Sequence, residues 1–178
     1  MTMKKLTEFI RESIDPNDSA QSSKYFKAIE DYAKKLNSMV PGVTVRTSKG
    51  GGWKVVQVEI PMDGKQISDL REMEDIFKSH FEKMVDSACS KLGQDPSEYV
   101  YPNGDCNYTQ IWDNYSKSRN GVVFECTYDE DSFGDFSMNV PCIAGLLAGA
   151  IAVSNISAKD LVEVEKEIDA MTDSISRI

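Results

Sequence analysis

A chain of 178 residues with 40% apolar and 28% charged residues has the size and composition of one globular domain with its own core. The formal net charge of −9 argues against a general nucleic-acid binder, because phosphate contacts need clustered cations. The charge is uneven: residues 1–60 carry ten Lys/Arg and seven Asp/Glu (+3), and residues 61–178 carry ten and 22 (−12). The acidic part either meets a basic partner or forms a solvated face that keeps the protein soluble.

The first 40 residues predict a pair of helices. Leu6, Phe9, Ile10 and Ile14 recur at helical spacing, and charged residues interrupt them, so this segment lacks the apolar region of a secretory signal. A second helix has an apolar face that ends at Val40, because the residue before Pro41 is pushed out of the helical region.

A change of period marks the next elements. Val43 and Val45, then Val56, Val58 and Ile60, alternate with other residues and predict two strands joined by three glycines. The segment 67–92 then predicts a long amphipathic helix, with Gly93 just past its end, where glycine is favoured.

Three further strands are predicted over residues 107–115, 121–129 and 132–140. With the N-terminal helical pair (1–40) and the hairpin–helix units and C-terminal helices (41–178), they indicate a single α+β domain. We expect about five antiparallel strands in hairpins, packed against several helices that include a central apolar one near the C-terminus.

That central helix is predicted from residues 142–153, which contain no charged residue. Twelve helical residues span about 18 Å, whereas a bilayer core is about 30 Å thick, so we expect no membrane insertion. In water, a helix that is apolar on all sides is a core helix. Gly145 and Gly149 should let a neighbouring element approach closely, and Gly149→Leu should overpack the core.

The final helix, from residue 158 to residue 178, has the most regular pattern of the chain. Its start is marked by Ser157 and Asp160, which suit a capping box, and by Ile156, which can pack onto the first turn. The apolar seam repeats at spacings of three and four, as in a heptad, and consists of Leu161, Val164, Ile168, Met171, Ile175 and Ile178.

Two interpretations of this seam remain open. The helix either packs on its own domain or pairs with another subunit or a partner helix. The acidic residues Glu163, Glu165, Glu167 and Asp169 flank the seam, so a like-charged self-pair would be repelled. A basic partner, or the more basic N-terminal helices of the same chain, fits better. The candidate binding residues here are Leu161, Val164, Ile168, Met171 and Ile175.

A second candidate contact lies in "TSKGGGWK". The P-loop pattern GxxxxGK[ST] is absent, and the glycines join two strands instead of opening a helix, so a flexible hairpin tip is favoured over a phosphate site. Lys49 and Trp53 flank this tip and are candidate contacts to a protein partner.

Metal and cofactor chemistry finds little support. Cys89, Cys106, Cys126 and Cys142 form no CxxC pair or short ligand spacing, and their apolar neighbours are typical of buried thiols. We expect reduced thiols in a cytoplasmic protein, although two disulfides are possible.

The stretch from Asp129 partly follows a calcium loop but lacks its final Glu, so we expect an acidic turn, with weak divalent binding left open.

His80 is the only histidine and lies at the edge of the long helix stripe. A histidine beside core residues is more often structural than catalytic, so no catalytic residue is assigned. A Cys–His dyad with Cys106 or Cys126, assembled in space, remains an alternative.

The leader "MKKLTEFIRESI" resembles the short N-terminal helices of many proteins of large tailed bacteriophages, including virion-packaged ones. Prohead proteases of such phages cut after an apolar-x-Glu signal, which Leu6-Thr7-Glu8 matches. The resemblance covers about a dozen residues of this chain of 178. It implies a phage-encoded protein in the host cytoplasm or the virion.

These observations favour a non-enzymatic, acidic binding or assembly protein that is virion-associated or interacts with the host. We expect it to act through contacts with a protein partner or with itself, without nucleic acid, membrane, metal or cofactor. One alternative is an acidic chaperone-like dimer, because the layout resembles small secretion chaperones. The other alternative is an enzyme built on His80 and a cysteine.

Overall fold

The computed structural model describes residues 16–50, 53–61, 70–97, 108–113, 115–117, 121–129, 133–154 and 156–178. These residues form five helices and a four-stranded antiparallel sheet, which confirms the α+β class with one strand fewer than about five. In chain order the elements are α1 (Pro16–Met39), β1 (Thr44–Gly50), β2 (Trp53–Pro61), α2 (Leu70–Leu92), α3 (Tyr108–Asp113), β3 (Ser116–Lys117), β4 (Gly121–Asp129), α4 (Phe133–Val153) and α5 (Ala158–Ser176). The first predicted helix lies outside the described residues.

The sheet has the strand order β1-β2-β4-β3, so β1 forms one edge and the two-residue β3 forms the other. Its buried face comes from the alternation that the sequence shows. Val58 pairs with Val45 on one side and with Phe124 on the other, and all three are buried against the helices. The predicted hairpin of β1 and β2 is therefore confirmed.

Within the segment 107–115, residues 108–113 form a short helix, α3, instead of the predicted strand. Ile111 and Trp112 are adjacent and both buried, which a strand with one buried face cannot achieve, because successive side chains point to opposite faces. Trp112 packs its ring 5.6 Å from Phe77 and 5.3 Å from Phe124, measured between centroids. This aromatic cluster outweighs the strand propensity of the segment.

The segment 132–140 is also not a strand, because α4 begins at Phe133 and continues to Val153. Phe133, Phe136 and Val140 follow the helical spacing of three and four residues. The helix passes through Pro141, whose missing N–H leaves the helical hydrogen bond to the Ser137 carbonyl unmade. Because proline is disfavoured inside a helix, the sequence alone predicts a break at Pro141, whereas α4 continues through it.

The predicted central apolar helix is confirmed. Every residue from Val140 to Ile151 is buried, and α4 packs along α2 with Gly145 and Gly149 on the side that faces Phe81 and Phe77. The two glycines therefore lie at close range to a neighbouring helix, as predicted. Among the described residues, none of the helices combines the length and apolar character that a bilayer crossing requires.

The C-terminal end of α2 also follows its sequence. Gly93 has a φ of 69°, which the absence of a side chain permits, and the Gln94 N–H donates to the Cys89 carbonyl at 2.9 Å. This six-residue closure is a Schellman motif, which satisfies a carbonyl that the helix end would otherwise leave unpaired.

The thiols differ from expectation at one position. Cys89 and Cys126 are buried and belong to no disulfide, whereas Cys142 is disulfide-bonded, so the prediction of four reduced thiols is wrong for Cys142. Cys106 lies outside the described residues. Sequence spacing does not reveal which cysteines meet in space. The expectation of a cytoplasmic setting consequently loses the support that it took from reduced thiols.

Candidate functional site

The apolar seam of α5 packs inside the chain itself. Val164, Ile168, Met171 and Ile175 are fully buried, and Leu161 is half-buried against the core. The predicted cap is present, because the Ser157 hydroxyl accepts the Asp160 N–H at 3.2 Å. This burial supports the interpretation in which the seam packs on its own domain.

The acidic side of α5 contacts cations of two other helices. Glu165 accepts a hydrogen bond from Lys83 at 3.1 Å, and its other oxygen lies 2.7 Å from Nδ1 of His80, both on α2. Glu167 lies 2.7 Å from the ammonium of Lys35 on α1, and this hydrogen bond raises the pKa of Lys35. The contact between Glu167 and Lys35 matches the expectation that the acidic flank of α5 meets the more basic N-terminal helices, whereas Glu165 contacts α2 instead.

A second group of polar contacts joins α5 to the end of α2. The Ser87 hydroxyl donates to the Asp169 carboxylate at 2.6 Å. The Lys91 ammonium lies 3.5 Å from a carboxylate oxygen of both Asp169 and Asp173. Lys91 also donates to the Asp169 carbonyl oxygen at 3.2 Å. The contacts of α5 are therefore apolar along its seam and ionic along its flank.

The structure places His80 against a carboxylate. Cys89 follows it by nine residues on α2, which is two and a half helical turns, so the two side chains leave the helix on opposite sides. Cys126 is buried in β4. Among the described residues, no group of three or more His, Cys, Asp and Glu side chains could hold a metal ion. Residues 130–132 of the partial calcium loop lie outside the described residues.

A cavity of about 260 Å³ lies beside the C-terminal ends of α2 and α5. Its described lining includes Tyr25, Lys91, Gln94, Val140 and Ser176. Among the described lining residues, Lys91 is the one cation, and the carboxylates of α5 described above already balance its charge. The described lining therefore offers no excess positive charge to an anionic ligand.

The outer edge of β1 is partly closed by a side chain. The Val45 N–H donates to Oδ1 of Asn37 at 2.6 Å, and Nδ2 of Asn37 donates to the Val45 carbonyl oxygen at 2.8 Å. The Asn37 amide, at the end of α1, thus supplies the pair of hydrogen bonds that a neighbouring strand would supply.

The contact with Asn37 fixes which backbone groups of β1 point outward. Because the N–H and C=O of Val45 turn away from β2, and because the groups alternate along an antiparallel strand, those of Thr47 and Lys49 also point outward. The pairing of Gly50 with Trp53 across a two-residue connection agrees with this alternation. No other described strand pairs with this edge.

The two predicted tip residues both lie at this corner of the sheet, where β1 ends and β2 begins. Trp53 is 54% exposed, and Lys49 is exposed at the end of β1. In the register, Lys49 pairs with Lys54 and Gly50 with Trp53, so Lys49 and Trp53 leave the corner on opposite faces of the sheet. Lys54 itself is buried, with its ammonium 5.2 Å from the centre of the Phe26 ring. The structure therefore places Lys49 on the open edge strand and Trp53 at the start of the neighbouring strand β2.

This part of the molecule is also its basic part. The elements α1, β1 and β2 contain seven Lys/Arg and four Asp/Glu, a net charge of +3 in a chain of net charge −9. Strand β1 contains Arg46 and Lys49 and no acidic residue. The elements around the open edge consequently carry a net charge opposite in sign to that of the whole chain.

No protein family matches the chain, and comparisons with curated proteins and with solved structures find no significant match.

The sequence does not indicate that Asn37 closes one end of this edge. The contact of Asn37 with Val45 depends on how α1 folds back over β1, and no local sequence pattern predicts it.

Proposed function

We propose that the protein is a non-enzymatic binding or assembly protein that acts through protein–protein contacts at the corner formed by β1 and β2. The observation that carries the proposal is the outward-pointing backbone of Thr47 and Lys49 beside the exposed ring of Trp53. Aromatic side chains are enriched in the centres of protein interfaces, and an open strand edge is a surface that proteins either cover or use.

The biological setting is part of the same proposal. We propose a phage-encoded protein that works in the host cytoplasm or the virion, on the strength of the leader resemblance. No membrane or nucleic-acid role is included, because the excess of acidic residues disfavours phosphate contacts. Contact with another protein is favoured over self-association, because the seam of α5 is buried within the chain.

The enzyme alternative gains no support from the described contacts of His80, whose ring contacts the Glu165 carboxylate. The chaperone-like alternative requires a dimer in solution. Light scattering on the full chain tests this requirement directly, since a monomeric mass at micromolar concentration contradicts the dimer.

Capture from the native host tests the proposal. Tagged wild-type chain should retain a partner that mass spectrometry identifies, and Trp53→Ser should reduce its recovery at least about tenfold, as expected for an aromatic anchor. Val162→Ser is the matched control, because Val162 is 49% exposed but lies on α5. The proposal fails if no protein is retained, or if the two variants reduce recovery equally.

A further inference from the structure

The open edge of β1 is short and has a defined beginning. The Asn37 amide is hydrogen-bonded to the backbone N–H and C=O of Val45. The outward-pointing backbone groups that stay open to a ligand therefore begin at Thr47 and end at Lys49. A chain running beside the edge finds two N–H donors and two C=O acceptors in that stretch. At the rise of a strand, an added segment of about three to five residues matches this length.

We infer that this edge takes up an extended, acidic peptide segment of a partner protein as an additional β-strand. The inference rests on the proposed function, for which it supplies the binding mode and the chemistry of the partner. Strand addition is a recognised way to bind peptides, in which main-chain hydrogen bonds supply affinity and the flanking side chains supply specificity.

The extended conformation of the ligand follows from the geometry of the edge. Outward-pointing backbone groups repeat every second residue along β1, and only another extended backbone presents partners at the same interval. A helical ligand has its own N–H and C=O groups paired internally and could not satisfy Thr47 and Lys49. Trp53, at the adjoining corner, can cover an apolar side chain of the added segment.

The acidic character follows from the charges beside the edge. Arg46 and Lys49 belong to β1, and Lys34 is exposed on α1 one helical turn before Asn37. Arg46 is half-exposed, and its guanidinium lies 3.6 Å from the Glu59 carboxylate. At this separation the guanidinium can also donate hydrogen bonds to a second carboxylate. A carboxylate-rich strand would therefore meet opposite charge along the edge.

The same charges disfavour a second copy of this chain as the occupant. Two β1 edges that pair antiparallel, use both open residues and avoid the positions closed by Asn37 pair Thr47 of one copy with Lys49 of the other. This register brings the two Lys49 side chains onto one face as diagonal neighbours, where like charges repel. The edge thus suits a partner of opposite charge better than it suits itself.

The test uses a displayed library of random twelve-residue peptides, selected on the full chain. Thr47→Pro is the edge variant: the Thr47 N–H points away from β2, so proline removes an outward donor and keeps the ladder to β2. Thr47→Val is the matched control, because it changes the side chain and keeps the donor.

We expect the selected peptides to be rich in Asp and Glu and poor in proline. Their affinity should fall at least about tenfold on Thr47→Pro and stay unchanged on Thr47→Val. Bound peptide should slow amide hydrogen exchange at Thr47 and Lys49. The inference is overturned if no selected peptide distinguishes Thr47→Pro from wild type, or if the preferred peptides are basic.

A second measurement keeps the test independent of the stability of the proline variant. A selected peptide can be N-methylated at its odd-numbered or at its even-numbered residues, which removes every second backbone donor. Only one of these two sets points at the edge of β1, so one methylated peptide should lose binding to the wild-type protein and the other should keep it. Equal binding of the two methylated peptides overturns the inference.

The failures of the two proposals are distinguishable. If host capture depends on Trp53 but not on Thr47→Pro, the protein binds its partner at this corner without strand addition. If Thr47→Pro instead converts a dimer to a monomer, the occupant is a second copy, and the acidic-partner inference is wrong. If no partner is captured at all, the proposed function itself fails.

Discussion

A Cβ atom on Gly149 of α4 would lie 2.9 Å from the carbonyl oxygen of Phe77 on α2 and 3.0 Å from its ring. Helix α4 therefore approaches the backbone of α2 more closely than any residue with a side chain would allow. Gly145, one turn earlier, lies in the same way against the Phe81 ring, at 2.7 Å from a virtual Cβ. These two glycines set the distance between the two central helices.

We expect Gly149→Leu to lower the free energy of unfolding by about 1–3 kcal/mol, because the added side chain must displace the Phe77 backbone. Gly149→Ala should have a smaller effect, since alanine regains about 1 kcal/mol of helix propensity. Urea denaturation followed by circular dichroism measures both. Gly50→Ala is the control, because nothing lies within 4 Å of a Cβ there. Equal midpoints for Gly149→Leu and wild type would contradict this packing.

Much of the fold follows from the sequence where one segment contains its own signal. The seam of α5, the cap at Ser157 and the glycine after α2 are local patterns, and the structure shows each of them. The apolar stretch of α4 also predicts its own burial, because no charged residue interrupts it. In these places local propensity and tertiary environment favour the same conformation.

The remaining features depend on residues that meet only in the folded chain. Trp112 belongs to a helix because Phe77 and Phe124 pack against it, and these lie outside its own segment of the chain. Asn37 closes one end of the β1 edge because α1 folds back onto β1. Of the candidate binding residues, Trp53 and Lys49 could be proposed from the sequence, but the open edge of β1 could not.

The buried seam of α5 gives a second prediction. Ile168→Ala should lower the free energy of unfolding by about 2–5 kcal/mol, because the side chain is fully buried and its removal leaves a cavity. Val162→Ala, on the exposed side of the same helix, should stay within about 0.5 kcal/mol of wild type. Thermal unfolding of the two variants separates these effects. A chain ending at Ser157 should not fold, and a folded monomer of that length would show that α5 is dispensable.

The contact between His80 and Glu165 gives a third prediction. The two atoms lie 2.7 Å apart, with side chains 26% and 12% exposed, so water screens the pair only in part. A double-mutant cycle of His80→Ala and Glu165→Ala should give a coupling energy of about 0.5–1.5 kcal/mol. Lys27 and Asp31 are the control pair: they lie 2.8 Å apart on the exposed face of α1, and their cycle should give a smaller coupling. Zero coupling for the His80 pair would mean that it does not hold α5 to α2.

The contact between Asn37 and Val45 gives the last prediction. Asn37→Ala removes both hydrogen bonds to Val45, so amide hydrogen exchange at Val45 should become at least about tenfold faster. The amides of Arg46 and Ser48 should keep their protection, because these residues alternate with Val45 and bond to β2.

Ser38→Ala is the matched control for Asn37→Ala, since the Ser38 hydroxyl donates to the Lys35 carbonyl within α1 and makes no described contact with β1. Asn37→Ala also lengthens the open edge from two outward-pointing residues to three, so this variant should bind the selected acidic peptides at least as tightly as wild type does. Unchanged exchange at Val45 would show that the Asn37 amide does not close this end of the edge.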